Sequence, residues 1–426
     1  MAPKEAVRAF FKSSTPGVHP SPVRRIPLGV VEPSPKPTSA AKSTSLFERF
    51  RQAAHAAHEV WSVLRLETWV IRGVDRSTGS PLCFSFSGSA PLKEYQANIA
   101  LAPGYEEHSL GRPFVFLIAA LARRRFPDCA LSIVEVDDRH RRIARFLKTG
   151  LKNPVWMPLH LDIRTSLASS LKKRWFRDVF KSASENRLSF DVKRDDASFD
   201  DFYHNMYVPF VQERHGKTAV VSDYAGLKDG FRRGELVMIR RDGAYVAGAV
   251  VNFGHRQPRM MEMGIRGDSA GPLKEGIAEA VYLMTFARAL ERGGCNLMIG
   301  TSRGFLKDGP LNHKFHMGAV FGDRHYQKGG FLHFRVNELT AGVKSFFLHN
   351  PLIMAGPGGS YHAAFFADSP DAVTLDMKRL LERCAEKKMT PRLYLFAPPA
   401  AVAEALPRLH DLLGSVDIQS AETLLR

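Results

Sequence analysis

The stretch from residue 236 to residue 301 leaves this chain few folds. Three strand-length apolar runs come first, at 236–240, 245–253 and 260–265. Arg241-Asp242-Gly243 joins the first two as a tight antiparallel hairpin. A long apolar helix over 274–292 follows, stopped by Gly293-Gly294, and a further strand occupies 296–301. Strands that lead through a long helix into another strand predict a mixed, mostly antiparallel sheet with helices on its faces.

The remaining residues extend this plan. At 426 residues the chain is too long for one compact core, and two to three packed units plus tails are expected. Residues 1–45 read as a tail, because Pro20, Pro22, Pro27, Pro33, Pro35 and Pro37 block helices and ladders alike. A first unit over 46–165 carries strands near 68–71, 82–86, 130–136 and 156–161, with helices over 113–125 and 139–147. A second unit over 166–345 opens with a basic amphipathic helix at 166–186, then a strand at 188–192 and a helix at 200–215. Two more strand-helix pairs, 362–366 with 371–387 and 393–396 with 400–413, form an extension over 346–426.

Charge narrows the partners. Sixty Lys and Arg against 43 Asp and Glu leave a net charge of +17, which attracts polyanions such as CoA phosphates, tRNA, an acidic carrier protein or anionic lipid. The alternative is that these side chains only solvate helix faces. Cys83, Cys129, Cys295 and Cys384 are scattered, so neither a zinc site nor a disulfide framework is expected, and the expected compartment is reducing and cytoplasmic. No apolar run reaches the ~20 residues that cross a bilayer. Val7, Phe10 and Phe11 among Lys4, Arg8 and Lys12 offer at most a weak peripheral membrane anchor.

The series at 236–301 resembles the core of a GNAT acyltransferase. In that fold the sheet splays after its central strand, and the turn into the next helix presents backbone N–H groups to the pyrophosphate of CoA. The turn here is Arg266-Gly267-Asp268-Ser269-Ala270-Gly271. It matches the family pattern at Arg266 and Gly271, with Ser269 in place of the first glycine. The resemblance implies acyl-CoA binding at Arg266, Gly267, Ser269 and Gly271, against the alternative of an ordinary strand-to-helix turn.

A second set of residues resembles the FemAB-like branch, which carries two tandem GNAT-like halves. Cys295-Asn-Leu-Met-Ile-Gly-Thr-Ser-Arg-Gly304, then Gly309 and Leu311-Asn-His-Lys-Phe-His-Met-Gly318, look like that family's strand, glycine loop and Phe-Lys motif, with Lys314 here preceding Phe315. Tyr203, Arg214, His215 and Gly216 resemble its helix ending in an Arg-His-Gly turn. The likeness spans about 155–325 in motif and 60–155 only in arrangement. It implies an α/β (α+β) fold: two tandem GNAT-like lobes with a splayed sheet flanked by helices, plus the small C-terminal α/β extension.

Acyl transfer to an amine needs a held donor, a neutral amine, donors for the oxyanion and an acid–base pair. Glu262, mid-strand beside the expected splay, is the candidate base, and a surface place on an alternating strand is the alternative. His313 and His316, three apart, would share a helix face. Tyr282 is a candidate acid for the leaving thiolate, with core packing against Leu283 and Phe286 as the other reading. Ser302 and Lys314 are candidates for substrate phosphate or carboxylate, Lys314 on an exposed loop. Three functions stay open: an N-acyltransferase using acyl-CoA or an acyl carrier protein, an aminoacyl-tRNA-dependent transferase, and a non-catalytic binder of polyanions.

Overall fold

The computed structural model describes residues 64–136, 151–163, 187–254, 257–267, 276–322, 330–356 and 360–422, with Leu147, Thr165, Lys181 and Glu185 between them. The tail at 1–45, the helix expected over 139–147 apart from Leu147, and nearly all of the basic helix at 166–186 lie outside them.

The first segment contributes β1 (Thr68–Val74), β2 (Pro81–Ser87), α1 (Ala90–Ala100), β3 (Glu106–Gly111), α2 (Ile118–Arg125), β4 (Leu131–Val136) and β5 (Leu151–Pro154). Helix α2 begins five residues later than its apolar pattern predicts. The backbone of Phe114 forms a bridge to Arg65, and the Val115 N–H donates to the Leu64 carbonyl at 2.8 Å, so these residues serve the sheet side instead.

The second segment supplies β6 (Met157–Asp162), β7 (Ser189–Lys193), α3 (Asp196–Phe202), α4 (Val208–His215), α5 (Tyr224–Arg232), β8 (Gly234–Arg241), β9 (Ala244–Asn252), β10 (Arg259–Ile265), α6 (Ile277–Glu291), β11 (Asn296–Ser302), α7 (Gly309–His316) and β12 (Val320–Phe321). They build a seven-stranded sheet ordered β12-β6-β11-β10-β9-β8-β7. Helix α6 is buried on nearly every side, which is the signature of a core helix rather than a surface one. The buried cluster around it runs on into Ala363, Phe365 and Leu393 of the C-terminal sheet.

The chain ends with β13 (Phe331–Val336), α8 (Ala341–His349), β14 (Leu352–Ala355), β15 (Tyr361–Ala367), α9 (Leu375–Glu386), β16 (Thr390–Leu395), α10 (Pro399–Leu413) and β17 (Asp417–Ser420). Strands β14 to β17 form their own four-stranded sheet, parallel from β15 onward. Strand β13 returns to the first sheet, ordered β3-β1-β2-β4-β13-β5, and pairs antiparallel with both β4 and β5. Conversely β6, which precedes residue 165, pairs with β11 and β12 in the second sheet. The two sheets thus each hold a strand from the other's stretch of sequence. The fold is α/β with mixed sheets flanked by helices, as expected. Among the described residues no helix is long and apolar enough to cross a membrane.

Strand β10 is irregular on both sides. It runs parallel to its neighbour β11, yet the two pair only at Arg259 opposite Met298, so the sheet opens beyond that point. On its other side β10 carries a bulge between Met260 and Glu262, which leaves Met261 without a partner on β9 and turns the strand at Glu262.

Candidate functional site

The open seam between β10 and β11 gathers the chemistry. Glu262 stands on β10 just after the bulge, and its Oε1 accepts a hydrogen bond from the Ser222 hydroxyl at 2.6 Å. Ser222 is itself fixed, since its N–H donates to Tyr207 Oη at 2.8 Å and its carbonyl accepts from Tyr203 Oη at 2.9 Å. Both tyrosines sit on a single wide π-type turn, Tyr203–Tyr207, between α3 and α4. Such turns are inserted features that often mark functional sites. The turn reaches β10 because Gly264 has no side chain: a Cβ there would lie 2.5 Å from the Tyr207 nitrogen.

The other wall is built by α7. Asp308 caps it, with its carboxylate accepting from the Leu311 N–H at 3.0 Å, and Pro310 opens the first turn. This helix replaces the loop expected around Gly309, and it carries Lys314 inward. Lys314 is only 7% exposed, so the exposed-loop expectation fails. Its Nζ donates to the Thr301 carbonyl at 2.7 Å, on the stretch of β11 that has left β10. Gly300, at φ +80, makes the kink that presents this carbonyl, and a side chain there would sit 3.6 Å from Nζ.

Burial sets the electrostatics. It pushes the Glu262 carboxyl above its usual range, against the Ser222 hydrogen bond, the Lys314 charge and the Tyr207 hydroxyl. It pulls the Lys314 amine down to about 8, against the carboxylates of Asp308 and Glu262. Asp308 is raised by the same desolvation. A carboxyl and an amine drawn toward each other and toward neutral pH, across an opening in a sheet, can exchange protons with a group placed between them.

The other expected site residues are distributed unevenly. His313 packs 5.6 Å from the ring of Tyr282, and burial lowers its pKa. Tyr282 lies in the core beside Phe286, with burial raising its pKa to about 12. His316, although three residues from His313, is exposed. The Ser302 hydroxyl is buried without a hydrogen-bond partner among the described residues. Arg266 donates from Nε to the Tyr245 carbonyl at 2.9 Å and pairs with Asp201, so its guanidinium is already engaged. Gly267 takes φ +76 just past β10. Ser269 and Gly271 lie outside the described residues.

Sequence reasoning missed Ser222, Tyr207, Asp308 and Arg303. Asp308 had a signal in Asp308-Gly309-Pro310 ahead of Leu311, a helix start written in capping residues. Ser222 and Tyr207 had none, because Ser222 lies 40 residues upstream of Glu262 and Tyr207 further still, on the π-type turn. Arg303 joins the two motifs read separately above. Its Nη2 donates to the Thr218 carbonyl at 3.3 Å, in the turn just after Arg214-His215-Gly216. Beside it, Asn153 Nδ2 donates to the Ile353 carbonyl at 3.0 Å and also to that of Gly304, tying β5 and β14 to the loop after β11.

No protein-family model and no curated protein matches this sequence. Among solved structures, L-PGS from Bacillus licheniformis aligns over 65% of this chain and 87% of its own, at 12% identity and TM-score 0.31. The C-terminal domain of a putative lysylphosphatidylglycerol synthetase from Agrobacterium fabrum aligns over 65% and 85%, at 11% identity and TM-score 0.29. FemX aligns over 62% and 83%, at 12% identity and TM-score 0.29. Superposition at that level carries no argument by itself. The strand order does: an antiparallel run β7-β8-β9-β10, a long helix, and a parallel β11 that splays from β10. That is the core order which the sequence resemblance to a GNAT fold implies.

Proposed function

We propose that this chain transfers an activated acyl group to an amine in the seam between β10 and β11. The observation that carries the reading is the pairing of a raised carboxyl, Glu262, with a lowered amine, Lys314, on the two walls of that seam. The donor lies along the exposed backbone edge of β10, with its carbonyl between the two side chains. The acceptor enters as an ammonium ion, gives a proton to Glu262 and attacks the carbonyl carbon. Lys314, mostly protonated at neutral pH, faces the oxyanion and gives a proton to the leaving group as the tetrahedral intermediate collapses; the neutral Lys314 amine then takes the proton the new amide nitrogen sheds, and Glu262 releases its own to solvent. The buried Ser302 hydroxyl is a further donor for the substrate.

The donor proposed is acyl-CoA or an acyl carrier protein, whose phosphates suit a +17 chain. Aminoacyl-tRNA suits that charge equally, and Arg266, held by Asp201, is not a committed pyrophosphate ligand. The test therefore runs both donors. Purified chain is incubated with radiolabelled acetyl-CoA or with aminoacyl-tRNA, each with a panel of primary amines, and amide product is counted. Product from either donor that disappears in Lys314→Met supports the reading and names the donor. Turnover unaffected by changes at Lys314 and at Glu262 places the chemistry elsewhere.

A further inference from the structure

A buried cation with no counter-ion among the described residues sits next to this seam. Arg303 directly follows β11 and is 8% exposed. Its guanidinium carbon lies 4.0 Å from the ring centre of Tyr95 on α1 and 4.9 Å from that of Trp156, between β5 and β6. Nη2 donates to the Thr218 carbonyl at 3.3 Å. Nη1 is buried and has no partner among the described residues. No carboxylate among them forms a salt bridge with it, although Asp308 and Glu135 are near enough to feel its charge.

That state is expensive to leave unmade. A buried charge is normally paired, and a guanidinium is too weakly acidic to escape by losing its proton. The two aromatic rings recover part of the cost through cation–π attraction. They also hold the planar fork in one orientation. With one edge given to Thr218, the Nη1 edge is the remaining direction for a strong contact. The walls come from all sides of the molecule: α1 of the first sheet, the Trp156 linker between the two sheets, the turn after α4, and the loop that leads to α7. A ligand that enters where these elements meet would therefore meet this guanidinium.

We propose that Arg303 is the receptor for an anionic group, a carboxylate or a phosphate, carried by a molecule that binds where these elements meet. The guanidinium matches either anion in a charge-assisted pair. A second role follows from the same contacts. The anion would complete a cluster that joins both sheets, so its binding would stabilise the whole chain.

Anion binding at Arg303 does not depend on acyl transfer, and its test uses no donor and no acceptor, so the two readings fail separately. The probes are sodium phosphate and sodium acetate, titrated into the full chain at constant ionic strength while the melting temperature is followed. A saturable rise with phosphate points to a phosphate-bearing ligand, and one with acetate to a carboxylate. Both anions together support the receptor without separating the sources. In Arg303→Gln the rise should vanish. In Arg303→Lys, which keeps the charge but loses the fork, half-saturation should need about tenfold more anion or more. Should Arg303→Gln not fold, arginine-specific carbon labelling of the unaltered chain reads the same event. The Arg303 side-chain signal, displaced by the Tyr95 and Trp156 rings, should then move with anion. The proposal is overturned by no saturable rise, by an equal rise in a folded variant, or by an unmoved arginine signal; a purely structural Arg303 would give these results.

Discussion

Glu235 and Glu262 stand on β8 and β10, either side of β9, and the chain treats these two carboxylates in opposite ways. Glu235, whose side chain is 1% exposed, is surrounded by arginines. Arg288 grips it with Nε at 2.6 Å and Nη2 at 2.8 Å, Arg194 pairs with it, and Arg292 approaches to 3.9 Å. Burial alone would raise its pKa, but the hydrogen bonds from Arg288 and Arg194 win and hold it below the usual range. Glu262 meets hydroxyls rather than guanidiniums, with that of Ser222 at 2.6 Å, and there burial wins. The number of charged donors in contact decides the sign. A carboxylate satisfied by arginines ties strands and helices together. One satisfied by a hydroxyl beside an open seam is left able to take a proton.

The difference can be broken at either carboxylate. The largest effect is expected at Glu262→Gln, which keeps shape and removes the base: acyl transfer should fall by roughly 10²-fold or more, with little change in melting temperature. Near-normal turnover would put the base elsewhere, with His313 next to examine. Glu235→Gln should do the reverse. It strands the partly exposed Arg288 and should cost about 2 kcal/mol in denaturant unfolding, below the full penalty for a wholly buried pair, with turnover per folded molecule unchanged. A variant that loses activity but not stability would make Glu235 part of the site.

The third expected effect concerns pH. Lys314 is lowered to about 8 from an unfolded value of 10.5, so between those limits the unfolded chain holds the extra proton. Stability should therefore rise as pH climbs from about 8 to about 10.5, by an amount on the order of a few kcal/mol at most. Lys314→Met should flatten that rise. An identical profile in the variant would mean that Lys314 titrates as it does in water.

These side chains show where the sequence was readable. The run of β8, β9, β10, α6 and β11 stood out because each element carries its own period, and Glu262 could be placed beside the splay through the family resemblance that this run carries. Lys314 could not be placed. Read on an exposed loop, it stands on the capped helix Gly309–His316, whose register turns it inward, and that follows from Asp308 and Pro310 rather than from any apolar stripe. The exchange of β6 and β13 between the sheets was not visible either, since pairing between strands so far apart in sequence leaves no local pattern. Arg303 shows the limit best. An arginine between a serine and a glycine reads as loop surface, and only Tyr95 and Trp156, far earlier in the chain, make it a buried group.

The most direct measurement is the titration of the two carboxylates in one sample, by carbon-detected NMR of glutamate-labelled chain with Glu235→Gln and Glu262→Gln as assignments. The account predicts a Glu262 midpoint above the ordinary 4.5 of a glutamate and a Glu235 midpoint below it. In Lys314→Met the Glu262 midpoint should move further up, because a neighbouring positive charge is gone. A Glu262 midpoint at or below that of Glu235, or one indifferent to Lys314, would contradict the pairing on which the proposed transfer rests.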